Sequence, residues 1–264
     1  MLNARTFLVR GLLAGLVAGI VAFGVAYVVG EPSVNAAIAI EESGSDAGHT
    51  HADEPAAGDQ AEHAHGDEAE VPRSLQSTLG LLTGTVVAGT VLGGLMGVLG
   101  ALALGRLGGL TPRQSTLAVT ALAFVGIYLV PSLAYPPNPP AVGHPDTIGY
   151  RTALYFTLMA ISLIAMVTAV LVGRRLASRI GGWHAFLVCG LGYVFVCAVT
   201  IGVMPTYDEV PESFPATVLF EFRRASLITQ IALWGTLGVV LAEFVGRLTR
   251  TAIRGRDRIP APVS

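Results

Sequence analysis

Six long apolar segments dominate this chain and leave it few ways to fold. They cover residues 11–29, 79–104, 115–130, 153–172, 183–204 and 225–245, and ionisable side chains are scarce in all of them. A bilayer core of roughly 30 Å takes about 20 helical residues to cross, and within it each backbone polar group must be satisfied by its own helix or by a closed barrel. Five segments meet that length. The third is the shortest, but Gln114 before it and Pro131, Ser132 and Leu133 after it let it extend into a span. The expected fold is all-α, a polytopic transmembrane bundle of six spans, or five if the third stops short. Charged residues make up 13% of the chain, against about 25% in an ordinary soluble domain, which excludes a water-soluble enzyme.

The first segment follows Arg5 and Arg10, as a signal peptide's core would. Its run of 19 residues is longer than the roughly 7–15 of such a core, and no small-residue cleavage site follows promptly. A retained helix is expected. The chain then divides into residues 1–30 with the first helix, an external loop over 31–73, and residues 74–264 with the other five helices. That last part includes a proline-rich external loop at 132–151 and an arginine-rich tail at 247–264.

Charge sets the orientation. With the N-terminus in the cytoplasm, 12 of the 16 arginines fall inside: Arg5, Arg10, Arg106, Arg113, Arg174, Arg175, Arg179, Arg247, Arg250, Arg254, Arg256 and Arg258. Arg73, Arg151, Arg223 and Arg224 fall outside. The excess of inside arginines selects both termini cytoplasmic, and an even number of spans agrees. Of the 18 carboxylates only Glu243 and Asp257 remain inside, so a formal total of −2 conceals an external face of −12. Such a face concentrates cations within the reach of salt screening. The chain has no lysine, so neither a Walker A phosphate loop nor a Schiff-base catalyst can be built from it. No enzymatic activity and no nucleic-acid partner are expected; the lipid bilayer is the chain's solvent.

Small residues indicate how the helices pack. Gly11, Gly15 and Gly19 recur every fourth residue in the first helix and Gly89, Gly93 and Gly97 do so in the second, the spacing that lets backbones approach closely in lipid. Cys189 and Cys197 lie eight residues apart on one apolar stretch, roughly 12 Å along a helix and beyond disulfide reach. They read as small buried side chains.

The polar chemistry gathers outside. The first external loop contains GHTHADEPAAGDQAEHAHGDEAE, with His49, His51, His63 and His65 in two H-x-H pairs among Asp53, Glu54, Asp59, Glu62, Asp67 and Glu68. Neutral imidazole is a preferred ligand of Zn, Cu, Ni and Co, and carboxylates complete such a shell. The tract's composition otherwise suits disorder, so weak, fast-exchanging metal capture is the expected role, with no tightly bound cofactor. Between the third and fourth helices YPPNPPAVGHPDTIGYRT carries five prolines, which stiffen the crossing. His144 and Asp146, two residues apart in it, are candidate ligands at a pore mouth, or Asp146 caps the fourth helix. Asp208, Glu209 and Glu212 are candidate cation attractors, and Glu221 is placed to pair with Arg223 or Arg224. Within the spans Glu243 is the clearest ionisable group, four residues before Arg247, where an i,i+4 pair reaching the interface explains it.

Several segments together carry a family resemblance: Gly15 and Gly19, EPSVNAAIAIEE, YLVPSLAYPPNPPAVGHPDTIGYRT, and VPESFPATVLFEFRRASLITQIALWGTLG. They span most of the chain, and in them it resembles CbtA, the integral-membrane subunit of a predicted cobalt transporter. The resemblance implies cobalt uptake across the bacterial cytoplasmic membrane in the service of cobalamin synthesis, with a small single-span partner, CbtB. The family is commonly described with five spans, so the count of six departs from it at the third helix. The histidine tract looks like a variable insertion, and its role rests on its own chemistry. The expected function is divalent cobalt uptake, with the external loop gathering metal. The alternatives are a nickel or zinc transporter, or a membrane scaffold or sensor subunit that only buffers metal.

Overall fold

The structure is a computed structural model that describes residues 3–47 and 72–256. Those residues form helices and connections with no strand among them. Six helices are long and apolar enough to cross a membrane: α1 (Ala4–Ser43), α2 (Arg73–Ala103), α3 (Pro112–Ala134), α4 (Pro145–Ile180), α5 (Gly182–Val203) and α6 (Ala216–Arg250). The third segment, the doubtful one in the sequence, is a helix of 23 residues. A reciprocal cap starts it, in which the Thr111 hydroxyl accepts from the Gln114 backbone N–H and the Gln114 side chain accepts from the Thr111 backbone N–H. Pro112 occupies the first turn, where its missing donor costs nothing.

Prolines inside α1 and α3 are accommodated in the same way. A π-helical turn at Ala26–Gly30 precedes Pro32, and another at Val125–Leu129 precedes Pro131. Proline lacks an N–H and its ring presses on the carbonyl four residues earlier, and the wider turn relieves that contact. For Pro131 the freed carbonyl belongs to Ile127, and the Tyr155 hydroxyl of α4 donates to it at 3.3 Å. The helix of α1 then continues to Ala47, further than the apolar run to residue 29 would carry it. Packing explains the difference, because Ala37 is fully buried against Val142 and Phe214, well past the apolar run.

The glycine seam forms as the spacing predicts. Gly11, Gly15 and Gly19 of α1 lie directly on the backbone of α2, and a Cβ at Gly15 or Gly89 would come within 2.9 Å of the Cα of Gly93 or Gly19 respectively. Beside the seam Ala14, Ala18 and Ala22 join Met96, Leu233, Trp234, Leu237 and Leu241 in the main core, shared by α1, α2, α3 and α6. Phe7 joins them from the first turns of α1, so the first segment packs into the core along most of its length.

A second core holds Leu154, Leu158, Met166, Tyr193 and Cys197 between α4 and α5, with Val130 and Tyr135 from the end of α3. Gly181, at φ 84°, is the one residue between α4 and α5. It turns the chain in a backbone region that favours glycine, and Ser162 and Tyr193 hydrogen-bond at 2.8 Å across the hairpin. Neither cysteine is in a disulfide.

Candidate functional site

The ordered polar chemistry lies at the end of the bundle assigned to the outside, where the 135–147 and 204–215 connections meet the first turns of α4 and α6. Proline sets the path of both connections, and aromatic stacking locks them together. The rings of Tyr135 and Tyr207 lie 5.5 Å apart and nearly parallel, and the Tyr135 hydroxyl donates to the Pro205 carbonyl at 2.8 Å. Arg223 of α6 donates to the Asn138 side-chain oxygen at 2.9 Å. Arg73 of α2 reaches across to Glu31 and to Asn35 of α1, closing the outer end of the glycine-packed pair.

At the centre Glu209 and Arg151 form a clamp. Glu209 accepts from the His144 backbone N–H at 2.8 Å and lies 3.5 Å from the Arg151 guanidinium, and both side chains are largely buried. Arg151 donates to the His144 carbonyl at 3.2 Å, and the Thr147 hydroxyl lies 2.9 Å from that carbonyl with its one proton within reach of either the carbonyl or Glu209. The guanidinium lies 6.0 Å from the centre of the Tyr207 ring, within cation–π range. Gly143, at φ 109°, lets the chain pass tight against Arg151, and a Cβ there would fall 2.9 Å from the guanidinium carbon. Hydrogen bonds from the Thr147 side chain and the His144 backbone hold the Glu209 carboxyl below the usual glutamate range, with Arg151 adding to them.

This arrangement revises several expectations. Glu209 is no free cation attractor, since it is spent on Arg151 and the His144 backbone. Asp208 accepts from the Val210 backbone N–H at 3.2 Å. His144 contributes its backbone to the clamp while its side chain is exposed, and Asp146 is exposed as well. Asp146 does not cap α4, because it falls inside a single 3-10 turn at Pro145–Thr147 with no side-chain cap bond. Arg223 selects Asn138 instead of Glu221, and among the described residues Glu221 makes no ion pair. His49, His51, His63 and His65 lie outside the described residues. Among those described, no three His, Cys, Asp or Glu residues converge as a metal site.

Beneath the clamp a cavity of about 360 Å³ opens between Tyr128, Ser132, Tyr135, Asn138, Arg151, Thr152, Tyr155 and Tyr207. Its polar lining is hydroxyl and amide, with one guanidinium. Burial pushes the Tyr135 and Tyr207 hydroxyls upward, so they stay protonated at neutral pH and do not act as anionic ligands. Such a lining suits contact with an ion's water shell better than direct ligation. Tyr135, Asn138 and Tyr207 went unmarked in the sequence, Arg151 entered only as one of four outside arginines, and 58 residues separate it from Glu209.

At the opposite end Glu243 accepts from Arg247 at 2.9 Å, as its i,i+4 spacing predicts, and from Arg113 of α3 at 2.6 Å. The pairing ties α3 to α6 at the interface and leaves Glu243 no ligand role.

No curated protein and no solved structure matches this chain. The family model described as probable cobalt transporter subunit (CbtA) matches residues 4–246, from the first turn of α1 into the last turns of α6, and the chain belongs to that family.

Proposed function

We propose that this protein takes up divalent cobalt across the bacterial cytoplasmic membrane as the membrane-spanning subunit of a transporter. The family match over residues 4–246 carries the reading. Two features of the chain support it: six helices able to cross a bilayer, and a charge distribution that assigns 16 of the 18 carboxylates to the outer side. In this reading the tract with His49, His51, His63 and His65 gathers the ion by fast-exchanging imidazole and carboxylate contacts. His144 and Asp146, exposed on the rigid outer loop, form a second relay point at the surface. A small single-span CbtB-like subunit completes the transporter.

The membrane potential supplies a driving force. Inward movement of a divalent cation gains about 4.6 kcal/mol per 100 mV, enough for a channel-like route without nucleotide hydrolysis. The lack of lysine assigns any ATP-driven step to another subunit, and this chain is not itself an enzyme.

The test is uptake of labelled cobalt into cells lacking other cobalt importers, with and without this gene and with the small partner supplied. A gain for cobalt that exceeds any gain for nickel or zinc is expected. No gain for any metal leaves the scaffold or sensor reading standing, and equal gains remove the assignment to cobalt. A Ser45→Cys variant is expected to react with membrane-impermeant thiol reagents from outside only, and labelling from the cytoplasm overturns the orientation.

A further inference from the structure

At the end of the bundle that carries both termini, a cavity of about 680 Å³ opens between the start of α1 and the end of α6. Asn3, Arg5, Thr6 and Arg10 supply its polar wall, and Val9, Leu13 and Phe244 its apolar one. Arg5 is exposed, and neither Arg5 nor Arg10 has a carboxylate partner among the described residues. Arg10 donates one guanidinium nitrogen to the Phe244 carbonyl at 3.0 Å, which fixes the group while its other donors remain unassigned. Glu243, next to Phe244 in the chain, is already held by Arg113 and Arg247. The cavity also adjoins the first turn of α1, where Thr6 and Phe7 donate to the Asn3 carbonyl while the Ala4 and Arg5 N–H groups lack helical acceptors and Asn3 makes no side-chain cap.

The polar and apolar walls are ordered along the helix. Val9 and Leu13 follow Arg5 by one and two turns, roughly 6 and 12 Å deeper into the bundle, and both are exposed. Two guanidiniums at the membrane surface with an apolar strip running inward from them match one class of ligand. The geometry points to a site for an anionic phospholipid, its phosphate held by Arg5 and Arg10 beside the start of α1 and its acyl chain lying along Val9, Leu13 and Phe244. Guanidinium groups recognise phosphate oxygens in bidentate fashion, and a helix N-terminus favours the same charge. A free phosphate would use the two arginines and leave the apolar strip without a role. Holding α1 to α6 through a shared lipid reinforces the Arg10 bond between the same two helices, and this inference stands apart from the metal transported.

Native mass spectrometry of the full chain, released from nanodiscs of mixed phosphatidylglycerol and phosphatidylcholine, tests the site. One phosphatidylglycerol is expected to remain bound in preference to phosphatidylcholine. An arginine near an anionic surface contributes about fivefold in affinity, so Arg5→Gln weakens retention about fivefold and Arg5→Gln/Arg10→Gln roughly 30-fold. Arg5→Gln removes no side-chain bond found among the described residues, which keeps the test valid if the double variant misfolds. Arg106→Gln/Arg179→Gln removes two exposed charges assigned to the same face but outside the cavity, and retention is expected to be unchanged. An equal loss in that pair, no preference between the two lipids, or inorganic phosphate held by the delipidated protein as tightly as the lipid overturns the proposal.

Discussion

Placing a single methyl group at Gly15 should separate the two roles of glycine in this bundle. A Cβ there meets the Gly89 carbonyl, its carbon at 2.8 Å, and the Gly93 Cα at 2.9 Å, all backbone atoms that no rotamer change can move aside. Carbon atoms pack best at about 3.5–4.0 Å, so α1 and α2 must part by about 0.5–1 Å, which forfeits a quarter to a half of each contact along the seam. Overpacking of this kind costs about 1–3 kcal/mol, and three backbone contacts place Gly15→Ala at the upper end. Replacing a helical glycine by alanine gains about 1 kcal/mol in intrinsic preference. The net loss is then about 2 kcal/mol, or roughly 4–8 °C in Tm for a protein of this size. Gly24→Ala supplies the control, because beyond its own helix backbone no atom of a described residue lies within 4 Å of its Cβ position, and it should raise Tm by about 2–4 °C. Thermal unfolding in nanodiscs, followed by intrinsic fluorescence with the buried Trp234 as a core reporter, measures both. A Gly15→Ala variant as stable as Gly24→Ala would falsify the close approach of the two helices.

Other perturbations probe the outer face and the loop. Tyr155→Phe leaves the Ile127 carbonyl without its donor and should cost about 1 kcal/mol; in a Pro131→Ala background the restored backbone N–H should reduce that cost toward zero, so an unchanged cost contradicts the account of the π turn. Because the folded Glu209 carboxyl titrates below the ordinary glutamate range, its stabilising contribution is complete above that range and fades as pH falls through the lowered value. Acid unfolding scans of wild type and Glu209→Gln should therefore converge at low pH, and a constant gap between them would sink the clamp. Replacing His49, His51, His63 and His65 by Ala should raise the half-saturating cobalt concentration for uptake while leaving the maximal rate nearly unchanged, whereas complete loss of uptake would make them obligatory ligands.

The spans, the glycine seam and the Glu243–Arg247 pair were legible because each depends on local spacing: the length of an apolar run, a period of four, an i,i+4 offset. The helical extension beyond residue 31 was not, since it depends on Ala37 meeting Val142 and Phe214 from distant parts of the chain. The extension of the third span through Pro131 was expected from the sequence, but the π turns that carry α1 and α3 past Pro32 and Pro131 were not. The clamp escaped notice for a related reason. Glu209 reads as an acidic residue in an acidic loop, and Arg151 as a stray basic residue on the unfavoured side; their mutual neutralisation exists only after α3, α4 and the last loop are assembled.

The cores of the two helix groups also constrain how an ion can pass. Their buried polar groups are neutral hydroxyls, Ser115, Thr116, Thr120 and Ser162, with no converging carboxylates, imidazoles or thiols among the described residues. Moving even one unit charge from water into a medium of such low polarity costs on the order of 20 kcal/mol before relaxation, far above the 4.6 kcal/mol or so per 100 mV that the potential returns to a divalent ion. Neutral hydroxyls do not replace the lost hydration of a bare cation. An ion crossing this chain would therefore keep most of its water or exchange it for ligands contributed by a neighbouring subunit.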